Sequence, residues 1–146
     1  MPTPELDLVA FKPGDNTLLI IEVKSYLDSP GVKYEDACKT YNSLNGRYKL
    51  FSYERYRQIV TRRLLDLFTR DGLVTGGVTV QYVLVAGKVY RSDEPRIRAY
   101  FEQRGWVLVG PSEVADSIRA LAKKRWEDSV PMMVVKILNQ NPPVLT

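Results

Sequence analysis

Two acidic residues and one lysine early in the sequence have the types and spacing needed for metal-assisted hydrolysis. Glu22 and Lys24 are two positions apart where an apolar run stops, and Asp7 precedes that run. Carboxylate oxygens suit hard divalent cations such as Mg²⁺ or Mn²⁺, and a nearby lysine can orient or deprotonate an attacking water and offset the charge of a scissile phosphate. Together these side chains are the parts that phosphodiester hydrolysis needs.

A β-hairpin is the element that has to position these side chains. Residues 6–12 predict one strand, residues 13–16 (Pro-Gly-Asp-Asn) predict a turn, and residues 17–24 predict a second strand. The run Leu-Leu-Ile-Ile at 18–21 is apolar on both faces. We therefore expect the second strand to be central and buried.

Strand geometry predicts that the three side chains converge. Side chains alternate across a strand, so Glu22 and Lys24 point to the same face. An antiparallel hairpin places the beginning of its first strand, with Asp7, alongside the end of its second. The alternative is an ion pair of Glu22 with Lys24 at a solvated strand end, with Asp7 exposed at the edge.

The two motifs resemble those of the PD-(D/E)xK nuclease superfamily. The sequence Pro-Glu-Leu-Asp that ends at Asp7 lies where the family has its Pro-Asp element, although Pro and Asp are not adjacent here. The sequence Glu-Val-Lys that begins at Glu22 matches the family's E-x-K element. The resemblance implies a restriction-endonuclease-like fold, with Mg²⁺ (or Mn²⁺) held by Asp7, Glu22 and the main-chain carbonyl of Val23. It also implies that Lys24 activates the water, which makes a metal-dependent DNA endonuclease the leading hypothesis.

Composition excludes several other kinds of catalytic site. The sequence has no histidine, which rules out His-based triads, His-Asn-His nuclease chemistry and the usual zinc sites. Its single cysteine, Cys38, can form neither an intrachain disulfide nor a thiolate metal cage. With 45% hydrophobic and 26% charged residues over 146 positions, we expect one domain, 1–146, in the cytoplasm, with no membrane span and no signal peptide.

The positive charge is concentrated in one part of the sequence. The formal net charge is +4, and residues 33–70 carry nine Lys or Arg against four Asp or Glu, a local +5. A positive block suits a polyanion, because phosphate neutralisation supplies most of the non-specific affinity for nucleic acid. We therefore expect a nucleic-acid partner, DNA in the first instance, contacted by Lys33, Arg55, Arg62, Arg63 and Arg70.

Four of these residues fall on one side of a helix predicted at 52–71. At about 100° per residue, the four occupy a sector about 100° wide, and we call them the arginine sector: Arg55, Arg62, Arg63 and Arg70. A solvated helix face, partly tied by the helix's own acidic residues, is the alternative to a phosphate-contacting face.

Three accessory residues are candidates for the same site. Glu5 shares a strand face with Asp7, and it either reaches the metal or is an exposed residue at the strand start. Tyr26 continues the face of Glu22, where it either bonds a phosphate or covers the sheet end. Gln58 lies near the arginine sector. Some branches of the superfamily carry a Gln in the helix after E-x-K, but the spacing here matches none of them.

The remaining elements complete an α/β fold. The predicted order is β-β-α-α-β-α-β-α-β, with further helices at 34–41, 93–104 and 111–124 and further strands at 78–86, 106–110 and 132–138. This order predicts a mixed β-sheet flanked by helices, restriction-endonuclease-like but lacking the helix and strand that usually precede the Asp-bearing strand. A non-catalytic nucleic-acid-binding or assembly module that keeps the fold is the second hypothesis. The third is a structural domain of a larger nuclease or mobile-element protein whose partner supplies the missing first elements, to which a homodimer in solution would point.

Overall fold

The computed structural model describes residues 5–26, 28–40 and 46–124, and within them the chain forms an α/β fold with a mixed sheet and helices, as predicted. In chain order the strands and helices are β1 (Leu8–Lys12), β2 (Thr17–Lys24), α1 (Tyr34–Ala37), α2 (Lys49–Ser52), α3 (Glu54–Arg70), β3 (Thr79–Ala86), α4 (Glu94–Glu102), β4 (Val107–Val109) and α5 (Pro111–Lys123). The strand predicted at 132–138 lies outside the described residues. None of the described helices has the length and apolar character needed to cross a bilayer.

The first two strands form the predicted hairpin. β1 and β2 pair antiparallel, with Leu8 opposite Ile21. Their connection is a 3-10 turn over Pro13–Asp15, followed by Asn16 in the left-handed conformation with φ of 46°. Asn tolerates this conformation better than most residues do, so the local turn chemistry sets the register of the hairpin.

β2 lies in the interior of the sheet, as its apolar run predicted. Within the described residues the sheet has the order β1-β2-β3-β4, with β3 parallel to β2 and β4 parallel to β3. Parallel neighbours need crossover connections, and these contain α1 to α3 on one crossover and α4 on the next. The C-terminal ends of β2 and β3 therefore lie side by side, with Lys24 opposite Ala86.

The hydrophobic core lies on one face of this sheet. Ile20 of β2 and Leu84 of β3 are fully buried there. Phe51 of α2 and Phe101 of α4 belong to the same cluster and stack on each other with ring centroids 4.8 Å apart. Glu22 follows Ile20 on the same strand face, so the core face of β2 continues directly into charged residues.

The helix predicted at 52–71 is interrupted near its start. Tyr53 is extended, with φ of −124° and ψ of 97°, and separates the short helix α2 from α3. Arg57 stabilises this break, because its Nη1 donates to the main-chain carbonyls of Leu50 and Phe51 at 3.0 and 3.3 Å. These contacts depend on the folded arrangement of the two helices, which the helical spacing of apolar residues did not reveal.

The helix predicted at 34–41 is only one turn long and ends at Ala37. Its first backbone N–H, that of Tyr34, donates to Asp93 Oδ2 over 3.0 Å. Asp93 immediately precedes α4. The start of α1 is thus capped by a residue from a distant part of the chain rather than by its own N-cap side chain.

The chain divides into two compact units, Met1–Gly110 and Pro111–Thr146. The first contains the sheet and the hydrophobic core. The second contains α5, whose apolar residues Ile118 and Leu121 are 42% and 39% exposed. A single domain over 1–146 stays a prediction.

Candidate active site

Asp7 lies beside the end of β2. The ladder pairs Leu8 with Ile21, so the next step of the same register brings Asp7 to the level of Glu22. The backbone N–H of Val23 donates to Asp7 Oδ2 over 2.7 Å. This short, charge-assisted bond fixes one carboxylate oxygen, while the Asp7 residue as a whole is exposed.

Glu22 and Lys24 share the core face of β2 and form an ion pair. Lys24 Nζ lies 2.7 Å from Glu22 Oε1. The side chain of Glu22 is 13% exposed and that of Lys24 is 22% exposed. The hairpin therefore brings the three residues together, and the ion pair is largely buried instead of lying at a solvated strand end.

Burial and neighbouring charges act in opposite directions on Glu22. Burial raises the pKa of Glu22, and the hydrogen bond and charge of Lys24 oppose this rise. The negative charge of Asp7 raises the pKa of Glu22 further, whereas the positive charge of Lys49 lowers it. The two carboxylates are thus close enough to repel each other, a repulsion that a bound cation would relieve.

The ring of Tyr48, which is bonded to Tyr26, lies near the ammonium group of Lys24. The hydroxyl of Tyr48 donates to the hydroxyl of Tyr26 over 3.0 Å, and Lys24 Nζ lies 5.5 Å from the centroid of the Tyr48 ring. Burial, followed by the bond to Tyr26, raises the pKa of Tyr48, so this phenol stays protonated at neutral pH. Tyr26 packs against the core, and its backbone is in the left-handed conformation with φ of 45°. Whether it covers the sheet end or bonds a phosphate stays a prediction.

Tyr56 borders the same acidic cluster, although the sequence indicated only an apolar position of α3. Its hydroxyl donates to the main-chain carbonyl of Glu5 over 3.4 Å. Burial raises the pKa of Tyr56, and the charges of Glu22, Glu5 and Asp7 raise it further. The packing of α3 near the hairpin places Tyr56 here, so no spacing within the sequence identifies it. Glu5 itself is exposed.

The donors at this strand end fit a hard divalent cation that keeps part of its water shell. The N–H and C=O of one strand residue point to the same side, so the Val23 carbonyl faces the side of Asp7, while the Lys24 carbonyl accepts from the Gly87 N–H at 2.9 Å on the other side. Two carboxylates and one carbonyl leave coordination positions for water, which suits Mg²⁺ because it dehydrates reluctantly. Across residues 5–26, 28–40 and 46–124, no group of three or more His, Cys, Asp or Glu side chains could hold a metal, so a cation here would have at most two acidic ligands.

The arginine sector of α3 is exposed to solvent along its whole length. Arg70, at its C-terminal end, is 74% exposed, and its Nε lies 3.6 Å from Asp71 Oδ1. A pair this exposed contributes little to stability and leaves the guanidinium free to contact a phosphate. The nucleic-acid contacts predicted for this sector stay a prediction.

Four other residues of the segment 33–70 are placed differently. Lys33 is half-buried, with its ammonium 5.1 Å from the centroid of the Tyr90 ring. Gln58 donates through Nε2 to Glu54 Oε1 over 3.0 Å, so its amide is engaged within α3. Arg57 turns inward and stabilises α2, whereas Lys49 is the member of the block whose charge reaches Glu22.

The single cysteine is not available as a nucleophile. Cys38 is 8% exposed and belongs to the hydrophobic core. Burial raises the pKa of its thiol to about 12, so the reactive thiolate is scarce at neutral pH. The groups of the site that could take part in a reaction are therefore the carboxylates of Asp7 and Glu22 and the ammonium of Lys24.

Comparisons of the chain with models of protein families, with curated proteins and with solved structures gave no match. The fold and site define an α/β protein with a carboxylate and lysine centre at the end of a central strand. An assignment of activity therefore depends on the geometry of these residues.

Proposed function

We propose that the chain is a metal-dependent endonuclease that hydrolyses phosphodiester bonds of DNA, with a restriction-endonuclease-like active site. One observation carries the proposal. At the end of β2, the Asp7 carboxylate is held at 2.7 Å by the Val23 N–H, next to a largely buried pair of Glu22 and Lys24, also at 2.7 Å. These are the groups that the resemblance to PD-(D/E)xK nucleases requires, in the order that it requires.

The burial of Glu22 and Lys24 supports a chemical role for them. Taking ions out of water costs roughly several kcal/mol per ion, and a buried ion pair is often no more stable than two apolar residues of similar volume. Ile20, the preceding residue on this strand face, is fully buried, so an apolar pair would extend the core at a lower cost. Charged groups whose pKa is shifted one way by burial and the other way by a neighbouring charge are typical of functional sites.

Asp7, Glu22 and the carbonyl of Val23 would hold Mg²⁺ or Mn²⁺. When bound, such a cation polarises a phosphate oxygen and lowers the pKa of an attacking water. The protein preorganises its donors: the Val23 N–H fixes Asp7 Oδ2, and Asp7 Oδ1 has no hydrogen-bond partner among the described residues. Oδ1 is therefore the oxygen that would bind the cation.

Lys24 would orient the water and offset charge on the scissile phosphate. Its ammonium has three N–H donors, of which one is directed to Glu22, so two are left for a water and a phosphate oxygen. The ring of Tyr48, 5.5 Å away, restricts where the ammonium can move. A positive charge held in place before the reaction stabilises the transition state without further reorganisation.

The exposed arginine sector of α3 supports a nucleic-acid substrate, since guanidinium groups bind phosphates in a bidentate manner. DNA is proposed ahead of RNA on the family resemblance alone.

The proposal includes action as a homodimer or within a larger nuclease assembly. Sedimentation with and without DNA tests this oligomeric state.

The test of the proposed reaction is plasmid nicking in the presence of Mg²⁺, Mn²⁺ or EDTA. We expect Asp7→Asn, Glu22→Gln and Lys24→Ala each to lower the rate about a hundredfold or more, because each removes a charge that acts on the reacting phosphate. The matched controls are Asp15→Asn and Lys12→Ala. These two residues form an exposed ion pair of 3.3 Å at the other end of the same hairpin, with side chains 67% and 59% exposed.

Two results would remove this mechanism. Nicking that proceeds in EDTA would exclude a role for a divalent cation. Nicking that survives both Glu22→Gln and Lys24→Ala, or that falls equally in the Lys12 and Asp15 controls, would show that these side chains do not carry the chemistry.

A non-catalytic nucleic-acid-binding or assembly module is the second candidate. It is favoured by the small number of acidic ligands, since the described residues offer no cluster of three. Salt-dependent DNA binding that is the same with and without Mg²⁺, together with no nicking by the unaltered chain, would support this candidate over the first.

A further inference from the structure

A groove of about 410 Å³ lies between α2, α3, α4 and β4, and it shares no residue with the site at Asp7, Glu22 and Lys24. Its lining includes two arginines and three aromatic residues: Arg57, Arg104, Phe51, Tyr100 and Trp106. We call it the Arg57–Arg104 groove. None of the chemistry proposed above uses it.

Both guanidinium groups lie over aromatic rings. The guanidinium carbon of Arg57 lies 4.7 Å from the centroid of the Trp106 ring. That of Arg104 lies 3.5 Å from the Tyr100 centroid and 5.8 Å from the Trp106 centroid. Cation–π contacts of this kind restrict the movement of a guanidinium group before a ligand binds.

Each guanidinium keeps donors free for a ligand. Arg57 uses only Nη1, for the carbonyls of α2, and Arg104 uses only Nη1, which donates to the Tyr100 carbonyl at 3.2 Å. In the described part of the chain, neither arginine forms an ion pair, and no buried side-chain nitrogen or oxygen lacks a partner. The remaining donors of Arg57 and Arg104 are therefore open to solvent.

The charges that line the groove favour an anion. Arg57 and Arg104 are close enough for the charge of Arg104 to lower the pKa of Arg57, although burial is the larger cause. Glu54 also lines the groove and opposes this effect, but its Oε1 accepts a hydrogen bond from Gln58. An anion bound between the arginines would relieve their mutual repulsion.

We propose that the Arg57–Arg104 groove is a second phosphate-binding site, which takes a phosphate group of a nucleic-acid strand. Two planar arginines with free donors match the tetrahedral, multiply charged oxygens of phosphate better than a single carboxylate. The proposal that the groove binds phosphate depends only on the residues that line the groove. Its assignment to a nucleic-acid strand rests on the proposed function.

Trp106 is a local reporter of occupancy. The chain has two tryptophans, so a Trp126→Phe parent leaves Trp106 as the only indole fluorophore. We expect inorganic phosphate, titrated in EDTA, to change the Trp106 emission in a saturable manner. Arg104→Gln in this parent should weaken the apparent affinity about tenfold, because one of the two charge-assisted contacts is lost.

The control is Arg91→Gln, which removes the same charge from an exposed position between β3 and α4, outside the groove, and should leave the titration within about twofold. Arg104 is the residue changed, because Arg57 also supports α2. A thermal unfolding curve for Arg104→Gln that matches the parent excludes misfolding as the cause. No saturable change in the parent, or equal affinity in Arg104→Gln, would overturn the proposal.

A short single-stranded oligonucleotide separates the two sources of phosphate. Competition between the oligonucleotide and inorganic phosphate for Trp106 would support the strand assignment. If phosphate saturates the Trp106 signal but the oligonucleotide does not compete with it, the groove is an anion site, and the proposal that it binds a nucleic-acid strand is wrong. All arms are free of metal and measure binding, so their outcome does not depend on whether the Glu22 site cleaves DNA.

Discussion

Glu22 is the residue at which burial and charge are most directly opposed. It follows a fully buried isoleucine on the same strand face, yet it carries a carboxylate that is paired with Lys24 at 2.7 Å. Burial raises its pKa, and the nearby Asp7 carboxylate adds to the rise. A divalent cation could therefore replace the Lys24 ammonium as the partner of the Glu22 carboxylate.

The free energy of unfolding should depend on pH through Glu22. The pKa of Glu22 lies above its ordinary value of 4.5 in the folded chain, so between these two values the folded state binds more protons than the unfolded state. The contribution of Glu22 is then fully present below pH 4.5 and is lost as the pH rises through the folded pKa.

We expect the difference in the free energy of unfolding between the unaltered chain and Glu22→Gln to fall with rising pH over this interval and to be level above it. The slope can reach at most about 1.4 kcal/mol per pH unit. Urea unfolding from about pH 4 to about pH 8, without divalent metal, measures the difference. A difference that rises over this interval, or that does not change, would contradict the assigned direction of the shift.

The residues of the site differ in how far the sequence could reveal them. Asp7, Glu22 and Lys24 belong to one hairpin, where alternation and a Pro-Gly-Asp-Asn turn determine which side chains meet. Tyr48 immediately precedes α2 and Tyr56 lies in α3, so their contacts with the site depend on the tertiary fold. Periodicity within a segment contains no information about such contacts.

At the scale of elements, α3 combines two roles on different faces. Its exposed face carries the arginine sector, whereas Arg57 is half-buried and bonds to the end of α2. The position and type of the helix were predictable from its 3.6-residue pattern. The break at Tyr53 was not, because it is stabilised by contacts between two helices.

Replacing Arg57 should destabilise the fold, because two main-chain carbonyls of α2 lose their donor and Trp106 loses the cation that lies over its ring. We expect Arg57→Met to lower the free energy of unfolding by about 2–4 kcal/mol. The matched change Arg62→Met, at an exposed position of the same helix, should stay within about 0.5 kcal/mol. Equal effects of the two changes in urea unfolding would contradict the structural role of Arg57.

The arginine sector should set the salt dependence of DNA binding. Replacing Arg55, Arg62, Arg63 and Arg70 together by Gln should reduce the slope of log affinity against log salt by up to about 3.6 on duplex DNA, since each lost phosphate contact removes about 0.9. Fluorescence anisotropy in EDTA at several salt concentrations measures the slope without cleavage.

A charge-matched control replaces four exposed basic residues elsewhere: Lys12, Arg91, Arg96 and Arg119. These changes lower the net charge by the same amount but lie outside α3. A slope that falls equally in both variants would assign the binding to overall charge rather than to the arginine sector.

At the scale of the whole molecule, topology explains why the site lies where it does. β2 is an interior strand, parallel to β3, and both end at the same edge of the sheet. The carboxyl ends of parallel strands are where open α/β sheets usually bind ligands. β1 pairs antiparallel on the other side of β2 and returns Asp7 to this same edge.

The sequence predicted the α/β class, the interior position of β2 and the order of the elements through α5 except for α2, which is a separate short helix. These features follow from hydrophobic patterns and turn residues, which act over short distances. The pairing of Arg57 with α2 and the capping of α1 by Asp93 were not predicted. Each joins segments that meet only when the chain is folded.

Calorimetric titration with Mn²⁺ in the absence of nucleic acid tests the central claim most directly. We expect the unaltered chain to bind one ion, and Asp7→Asn and Glu22→Gln each to weaken binding about tenfold or more, because each removes one of two acidic ligands. Asp15→Asn, an exposed acid at the other end of the hairpin, should bind as the unaltered chain does. No binding by the unaltered chain, or equal binding by Glu22→Gln, would contradict a metal centre at the end of β2.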